Sequence, residues 1–268
     1  MRCFYIILLP LLFFNCKSKE VNTPSKEIAM EVQVPIQKPI QISKGDSIIN
    51  KAIEAHGGKL YDKANYSFIF RKKKYTFKNE DTGYSYSVEF KDDSDSQVID
   101  KLENGNFERS INGKIIKLSE KETDNYSNAL NSVIYFTTLP FKLNDVAVNK
   151  KYIGSTSIKD SNYHIVKVTF NKEGGGKDHD DQYYYWINHN ENTVDYFAYN
   201  YSVNGGGVRF RSFYNRKNID GIIFQDYINW KAPNKTPLDG LPSMFENNKL
   251  VKASTIENTQ INNLKTKK

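Results

Sequence analysis

Tyr183-Tyr184-Tyr185-Trp186-Ile187 and Tyr196-Phe197-Ala198-Tyr199 decide the fold class of this 268-residue chain. Aromatic and β-branched residues in such runs read as strands. Successive side chains of a strand point to opposite faces, so consecutive bulky residues place rings on both sides of a sheet. A sheet that is apolar on both sides needs two covers. Helices can supply one; the other is expected to be a closed core or a hollow of ligand size. The demand is concentrated here, because residues 183–230 hold fourteen of the thirty-six aromatics.

Outward from this run the chain reads mainly as strands. Tyr66–Phe77, Tyr84–Phe90, Asn106–Ile111 and Lys114–Leu118 precede it, with Asn112-Gly113 as a two-residue hairpin turn. Lys151–Ile158, Tyr163–Phe170, Gln182–Asn188, Thr193–Tyr201, Val208–Tyr214, Gly221–Trp230 and Lys252–Ile261 follow. Two helices interrupt them. Ile48, Ile49, Ala52 and Ile53 share a helical face ended by Gly57-Gly58. Ser119 and Glu122 form a capping box before a stripe of Tyr126, Ala129, Leu130, Val133 and Ile134 that stops at Pro140. Strands without βαβ alternation predict an antiparallel meander.

The N-terminus carries an address. Residues 3–14 are an unbroken apolar run behind Met1-Arg2, too short to span a bilayer of about 30 Å, so residues 1–15 read as a signal peptide. Cys16 follows it and resembles the acylation site of a bacterial lipoprotein. Residues 16–44 are then a lipidated N-terminus and tether with Pro24, Pro35 and Pro39, residues 45–261 one β-rich domain, and residues 262–268 a disordered tail. The expected location is the outer membrane, lipid-anchored and facing the periplasm or the cell surface. Cys3 and Cys16 are the two cysteines, which leaves the folded part without a disulfide or a thiolate-held metal. The net charge of +7 is spread along the chain, with a dense run Arg71-Lys72-Lys73-Lys74 inside a strand-like segment. A secreted lipoprotein with such dispersed charge is not expected to bind nucleic acid, whereas a basic surface suits anionic lipid head groups or simple solvation.

Candidate chemistry lies in two places. Glu173-Gly174-Gly175-Gly176-Lys177-Asp178-His179-Asp180-Asp181 gathers carboxylates and a histidine on a glycine-rich loop. Glu173, Asp178, His179 and Asp181 could form a ligand rim or an oxygen-rich Ca²⁺ site, but the spacing is not that of an EF-hand and a solvated hairpin loop is the plainer reading. Arg209, Arg211 and Phe213 share one face of a strand, and two guanidiniums among aromatics suit a carboxylate or phosphate. With Tyr185, Tyr199 and Asp226 they make the candidate ligand-binding set; pairing of the arginines with Asp195 and Asp226 is the plainer alternative. His164 lies on a face with Val166, Val168 and Phe170 and reads as a hydrogen-bonded core histidine. His56 reads as a partner of the helix dipole. The motifs of serine hydrolases, zincins and P-loop enzymes are missing, and no catalytic residue or cofactor is expected.

Two resemblances add to this. His56-Gly57-Gly58 closing an amphipathic first helix, followed by a long meander, resembles the LolA and LolB lipoprotein carriers. That implies an unclosed, strongly curved half-barrel with two or more helices covering its concave side. Ala55-His56-Gly57-Gly58, Asn131-Ser132-Val133-Ile134-Tyr135-Phe136, Leu139-Pro140-Phe141, Val168-Thr169-Phe170 with Glu173-Gly174-Gly175-Gly176, and Arg209-Phe210-Arg211 resemble an uncharacterised lipoprotein family of Bacteroidota over roughly residues 46–261. That family has no established activity. Some members are labelled deoxyribose-phosphate aldolase, but such an enzyme needs a (β/α)₈ barrel and a Schiff-base lysine, and the alternating strand–helix units are missing here.

The leading expectation is a lipid-anchored envelope protein that binds a lipid or other apolar or amphipathic molecule in a curved sheet, aromatics lining the hollow and Arg209 and Arg211 meeting a polar head. A filled barrel acting as a protein-interaction module is the rival from another class. A hydrolase- or lyase-type enzyme comes third and would require a cleft joining a perturbed carboxylate or histidine to the arginines.

Overall fold

Strands pair almost wholly with their sequence neighbours, and the result is two seven-stranded antiparallel sheets not closed into a barrel. The computed structural model describes residues 42–173, 181–202 and 205–265, all within one unit, Gln41–Lys268. Helix α1 (Lys44–Ala55) leads into the first sheet: β1 (Asn65–Phe70), β2 (Lys73–Glu80), β3 (Gly83–Lys91), β4 (Gln97–Glu103), β5 (Asn106–Ile111) and β6 (Lys114–Ile115). Helix α2 (Glu120–Thr137) then crosses to the second: β7 (Val148–Ile158), β8 (Ser161–Phe170), β9 (Tyr183–Asn188), β10 (Val194–Tyr201), β11 (Gly207–Ile219) and β12 (Ile222–Ala232). After a short helix α3 (Leu241–Glu246), β13 (Val251–Ile256) completes the second sheet, and β14 (Thr259–Asn263) returns to pair with β1. The expected single meander is thus two, parted by α2 and rejoined by the last strand.

The caps lie where the sequence puts them. Ser43 accepts from the Asp46 N–H at 3.1 Å at the start of α1, and Ser119 and Glu122 make both halves of the capping box of α2. Ile48, Ile49, Ala52 and Ile53 bury α1 against the second sheet, on Val166, Tyr185, Ile187 and Phe197. Leu130 and Ile134 of α2 meet the first sheet at Phe68, Phe77 and Tyr86. Phe141 packs against both cores. Asp220-Gly221, at φ 50° and 90°, turns β11 into β12, and Gly57 lies so close that a Cβ there would sit 3.1 Å from Ile222.

Two local readings change. Residues 66–77 are not one strand, because Arg71 and Lys72, at φ 49° and 63°, form the turn between β1 and β2. Neither residue type announces a left-handed turn. β4 was not anticipated, since Asp100 interrupts its apolar alternation. That carboxylate faces inward, 3% exposed, and accepts from Arg109 Nε and Nη2 at 2.6 and 2.7 Å. The guanidinium in turn lies 3.3 Å from the ring centre of Tyr126, which ties α2 to the sheet.

The largest change concerns the second cover of the aromatic sheet. Its outer face is roofed by residues 238–250, where Leu238, Leu241 and Leu250 are buried on Trp186, Ala198, Val208 and Phe210, with Met244 and Phe245 alongside. Burial of each leucine contributes about 1.5–3 kcal/mol. Of the two alternatives for that side, a closed core or a hollow of ligand size, the structure has the core. Leu238, Leu241 and Phe245 have helical spacing, but the segment is short and broken by Pro237 and Pro242, so its periodicity is faint.

Candidate ligand-binding site

Pairing registers build the site. Tyr185, Phe197, Arg211 and Asn229 stand side by side on β9, β10, β11 and β12. Two residues along each strand, about 7 Å away, Tyr183, Tyr199, Arg209 and Lys231 form a parallel row on the same face. Each row runs from buried aromatic to cation to polar residue, toward the edge strand β13.

Arg211 is the singular member. It is 5% exposed, and its guanidinium carbon lies 3.7 Å from the ring centre of Phe136, 4.6 Å from Tyr227, 5.2 Å from Tyr199 and 5.5 Å from Phe197. Nη2 donates to the Tyr199 hydroxyl at 3.1 Å. Nε and Nη1 are buried without a hydrogen-bond partner, as are Asn229 Oδ1 and the Tyr135 and Tyr185 hydroxyls. An isolated buried charge costs several kcal/mol even after relaxation. Each ring contact returns roughly 0.5–2 kcal/mol. The rings make the cation tolerable, while the N–H groups of Nε and Nη1 stay unanswered.

The surrounding phenols remain neutral. Burial pushes Tyr135 up to about 12, and Tyr185 and Tyr227 are also raised, each mainly by desolvation. Neutral hydroxyls and an unanswered guanidinium make the cluster rich in donors, with Asn229 Oδ1 as its unmatched acceptor.

The other expected members divide. Tyr185 and Tyr199 belong to the cage, and Phe213 packs edge-on against Tyr227 at 5.5 Å. Arg209 donates to the Val208 carbonyl at 3.1 Å and to the Tyr201 hydroxyl. Asp226 does not face the arginines. It is 2% exposed and accepts from Lys217 Nζ at 2.9 Å, from Asn215 Nδ2 at 2.6 Å and from the Asn258 N–H at 2.9 Å. A bulge between Tyr214 and Lys217 redirects these partners toward it. Asp195 is likewise taken, by Arg216, Thr193 and Tyr163. The simple pairing of Arg209 and Arg211 with Asp195 and Asp226 is therefore not formed.

In the acidic loop, Glu173 is exposed and Asp181 is buried and engaged, while Asp178 and His179 lie outside the described residues, as does Cys16. Among the described residues no three His, Cys, Asp or Glu side chains gather to hold a metal. His164 is half-buried rather than a bonded core residue: its ring lies 3.8 Å from that of His189, and its Nδ1 has no partner. His56 is fully buried at the end of α1, with Nε2 accepting from the Val194 N–H at 3.2 Å. It is a neutral tie between elements rather than a charge on the helix dipole.

Phe136, Tyr135, Tyr227 and Asn229 complete the site and were not singled out. Tyr227 and Asn229 alternate on β12 with Asp226 and Ile228, and only the register brings them beside Arg211. Tyr135 and Phe136 end α2 outside the apolar stripe, where a helical reading treats them as peripheral.

A comparison with curated proteins finds no match. In structure the chain is similar to a LolA superfamily protein from Nitrosomonas europaea, at 10% identity over 81% of this chain and 92% of that one, with a TM-score of 0.47. It is similar to a domain named for outer-membrane lipoprotein sorting from Vibrio parahaemolyticus, at 7% identity over 82% and 95%, with a TM-score of 0.43. A DUF1329 family protein from Desulfovibrio piger aligns at 10% identity over 83% and 94%, with a TM-score of 0.39. In sequence, residues 38–258 match the profile of a family of unknown function, DUF6503, and the chain belongs to that family.

Proposed function

We propose that this is an envelope protein, anchored through lipid on Cys16, whose second sheet binds an amphipathic molecule with an acidic head at Arg211. The observation that carries the reading is the buried guanidinium with Nε and Nη1 unpartnered, caged by Phe136, Tyr199 and Tyr227. A structural arginine at such depth is ordinarily paired. Here the missing partner is supplied by the ligand, whose apolar part lies along the rings of β9 and β10.

The cage is closed in this structure, with Tyr185 and Phe197 wholly buried. Binding therefore displaces Phe136 at the C-terminal end of α2. That helix buries only Leu130, Ile134 and Thr137 among its eighteen residues, so opening costs the burial of Ile134 and Thr137 in its last turn and little from the rest of the helix. The same closure favours a second reading, a filled module that binds another protein by its surface.

Arg211→Met separates the two. It retains the stem and removes the charge, and replacing an uncompensated buried ion by an apolar side chain is neutral or stabilising by about 1–3 kcal/mol. The expected result is unchanged or raised stability in urea with at least a tenfold loss of fatty-acid affinity, read by native mass spectrometry and titration of residues 41–268. Strong destabilisation, or wild-type binding, rejects the head-group role. If extraction of the wild-type protein yields no amphiphile and neither added fatty acid nor alkyl phosphate binds, the filled-module reading takes its place. Cys16→Ser in the full chain is expected to move the protein from membrane to soluble fractions.

A further inference from the structure

The geometry points to a phosphate monoester, rather than a carboxylate, as the head group received by the second sheet. This deepens the ligand-binding reading above and rests on it.

A carboxylate presents two oxygens in one plane and one negative charge. On one edge of Arg211 it uses both oxygens and its whole charge. Nε and Nη1 lie on different edges of the guanidinium, and Nη2 between them is held by Tyr199. No single anion, planar or tetrahedral, spans both edges, so the discrimination lies in the charge and in the acceptor oxygens left over for the neighbouring cations. A phosphate monoester carries about −1.5 to −2 charge at neutral pH and three strong acceptor oxygens directed to the corners of a tetrahedron.

The neighbouring rows supply the rest. Arg209 stands one step along β11 on the same face, with exposed Lys231 opposite it on β12. Arg211, Arg209 and Lys231 therefore form a track of three positive charges leading from the cage to the edge of the sheet. A single negative charge would leave most of that track uncompensated; a near-dianion answers two of the three. Asn229, directly across from Arg211, has a buried Oδ1 with no donor. A carboxylate offers it nothing, whereas a singly protonated phosphate or a hydroxyl beside it does. The chemistry is shared by lipids ending in a phosphate monoester and by soluble alkyl phosphates.

The test compares two probes of equal chain length, dodecyl phosphate and dodecanoate, below their micelle concentrations. Calorimetry uses residues 41–268, which form one unit with their own cores. Dodecyl phosphate is expected to bind at least about tenfold more tightly, a difference of about 1.4 kcal/mol. Lys231→Ala, at an exposed position, is expected to weaken dodecyl phosphate several-fold more than dodecanoate and so to shrink that ratio. Vesicles containing phosphatidic acid then distinguish a lipid source, if they compete, from a soluble phosphate, if they do not. Equal binding of the two probes overturns the phosphate assignment and leaves the amphiphile reading standing. Binding of neither overturns both.

Discussion

Asp226→Ala is expected to destabilise the domain by about 3–5 kcal/mol, the usual cost of removing one partner from a buried ion pair. The carboxylate is 2% exposed and receives Lys217 Nζ, Asn215 Nδ2 and the backbone N–H of Asn258. Lys217 Nζ also donates to the Asn258 carbonyl at 2.8 Å, and Asn258 Nδ2 to the Gln225 carbonyl at 3.3 Å. Asn258 is where the chain leaves β13 in the second sheet and enters β14 in the first. Asp226 thus holds the strand that rejoins the two sheets. Its loss strands a half-buried ammonium and an amide with no acceptor. At about 2–4 °C per kcal/mol for a domain of this size, the melting temperature falls by about 10 °C. Adding Lys217→Met should restore part of the loss, because it removes the orphaned cation. A change below about 1 kcal/mol in urea unfolding of Asp226→Ala would show that the joint is held elsewhere.

The same residue illustrates what the sequence does and does not reveal. Asp226 and Arg211 are both polar residues in aromatic strands, and residue type alone makes them natural partners. Which carboxylate meets which cation depends on the bulge at Tyr214–Lys217, marked only by Asn215 at φ 50°, a residue as common in ordinary turns. Local periodicity, by contrast, was legible. The capping box of α2, the Asn112-Gly113 turn and the buried face of α1 each follow from short-range chemistry and are present. β4 escaped because Asp100 sits at an inward position, and an inward charge is intelligible only with Arg109 beside it. The demand for two covers over Tyr183–Ile187 was also correct. Its answer, Leu238, Leu241 and Leu250, lay in a proline-broken segment too short for a helical period. Arg211, Tyr185 and Tyr199 are legible as candidate contacts, yet the rest of the cage is not, because Phe136 and Tyr227 come from α2 and β12 and converge only in three dimensions.

Acid is expected to unfold this domain partly through one histidine. His56 is fully buried, and desolvation, with a smaller contribution from the charge of Arg216, lowers its pKa to about 3 from an ordinary 6.5. Its Nε2 must remain an acceptor for the Val194 N–H, and its carbonyl accepts from the Ile223 N–H at 3.0 Å. The end of α1 is tied to β10 and β12 through this residue. Between pH 6.5 and about 3 the unfolded chain binds a proton here that the folded chain refuses. Stability is therefore complete above the unfolded value and declines as pH falls toward the folded one, at up to about 1.4 kcal/mol per unit. Over that window the loss amounts to about 4–5 kcal/mol, comparable with the whole stability of a marginal domain. Carboxylates add their own acid dependence, so the comparison that isolates His56 is with His56→Gln, whose side-chain oxygen can take the Val194 N–H without titrating near neutrality. The substitution should cost about 1–2 kcal/mol at pH 7.5 through imperfect packing. Below pH 6 its stability should fall less steeply than that of the wild type by close to one proton's worth of slope. The two urea-derived stability curves would then approach and cross as acid is added. Parallel curves would mean that His56 is protonated in the folded protein, and that the Val194 amide finds its acceptor elsewhere.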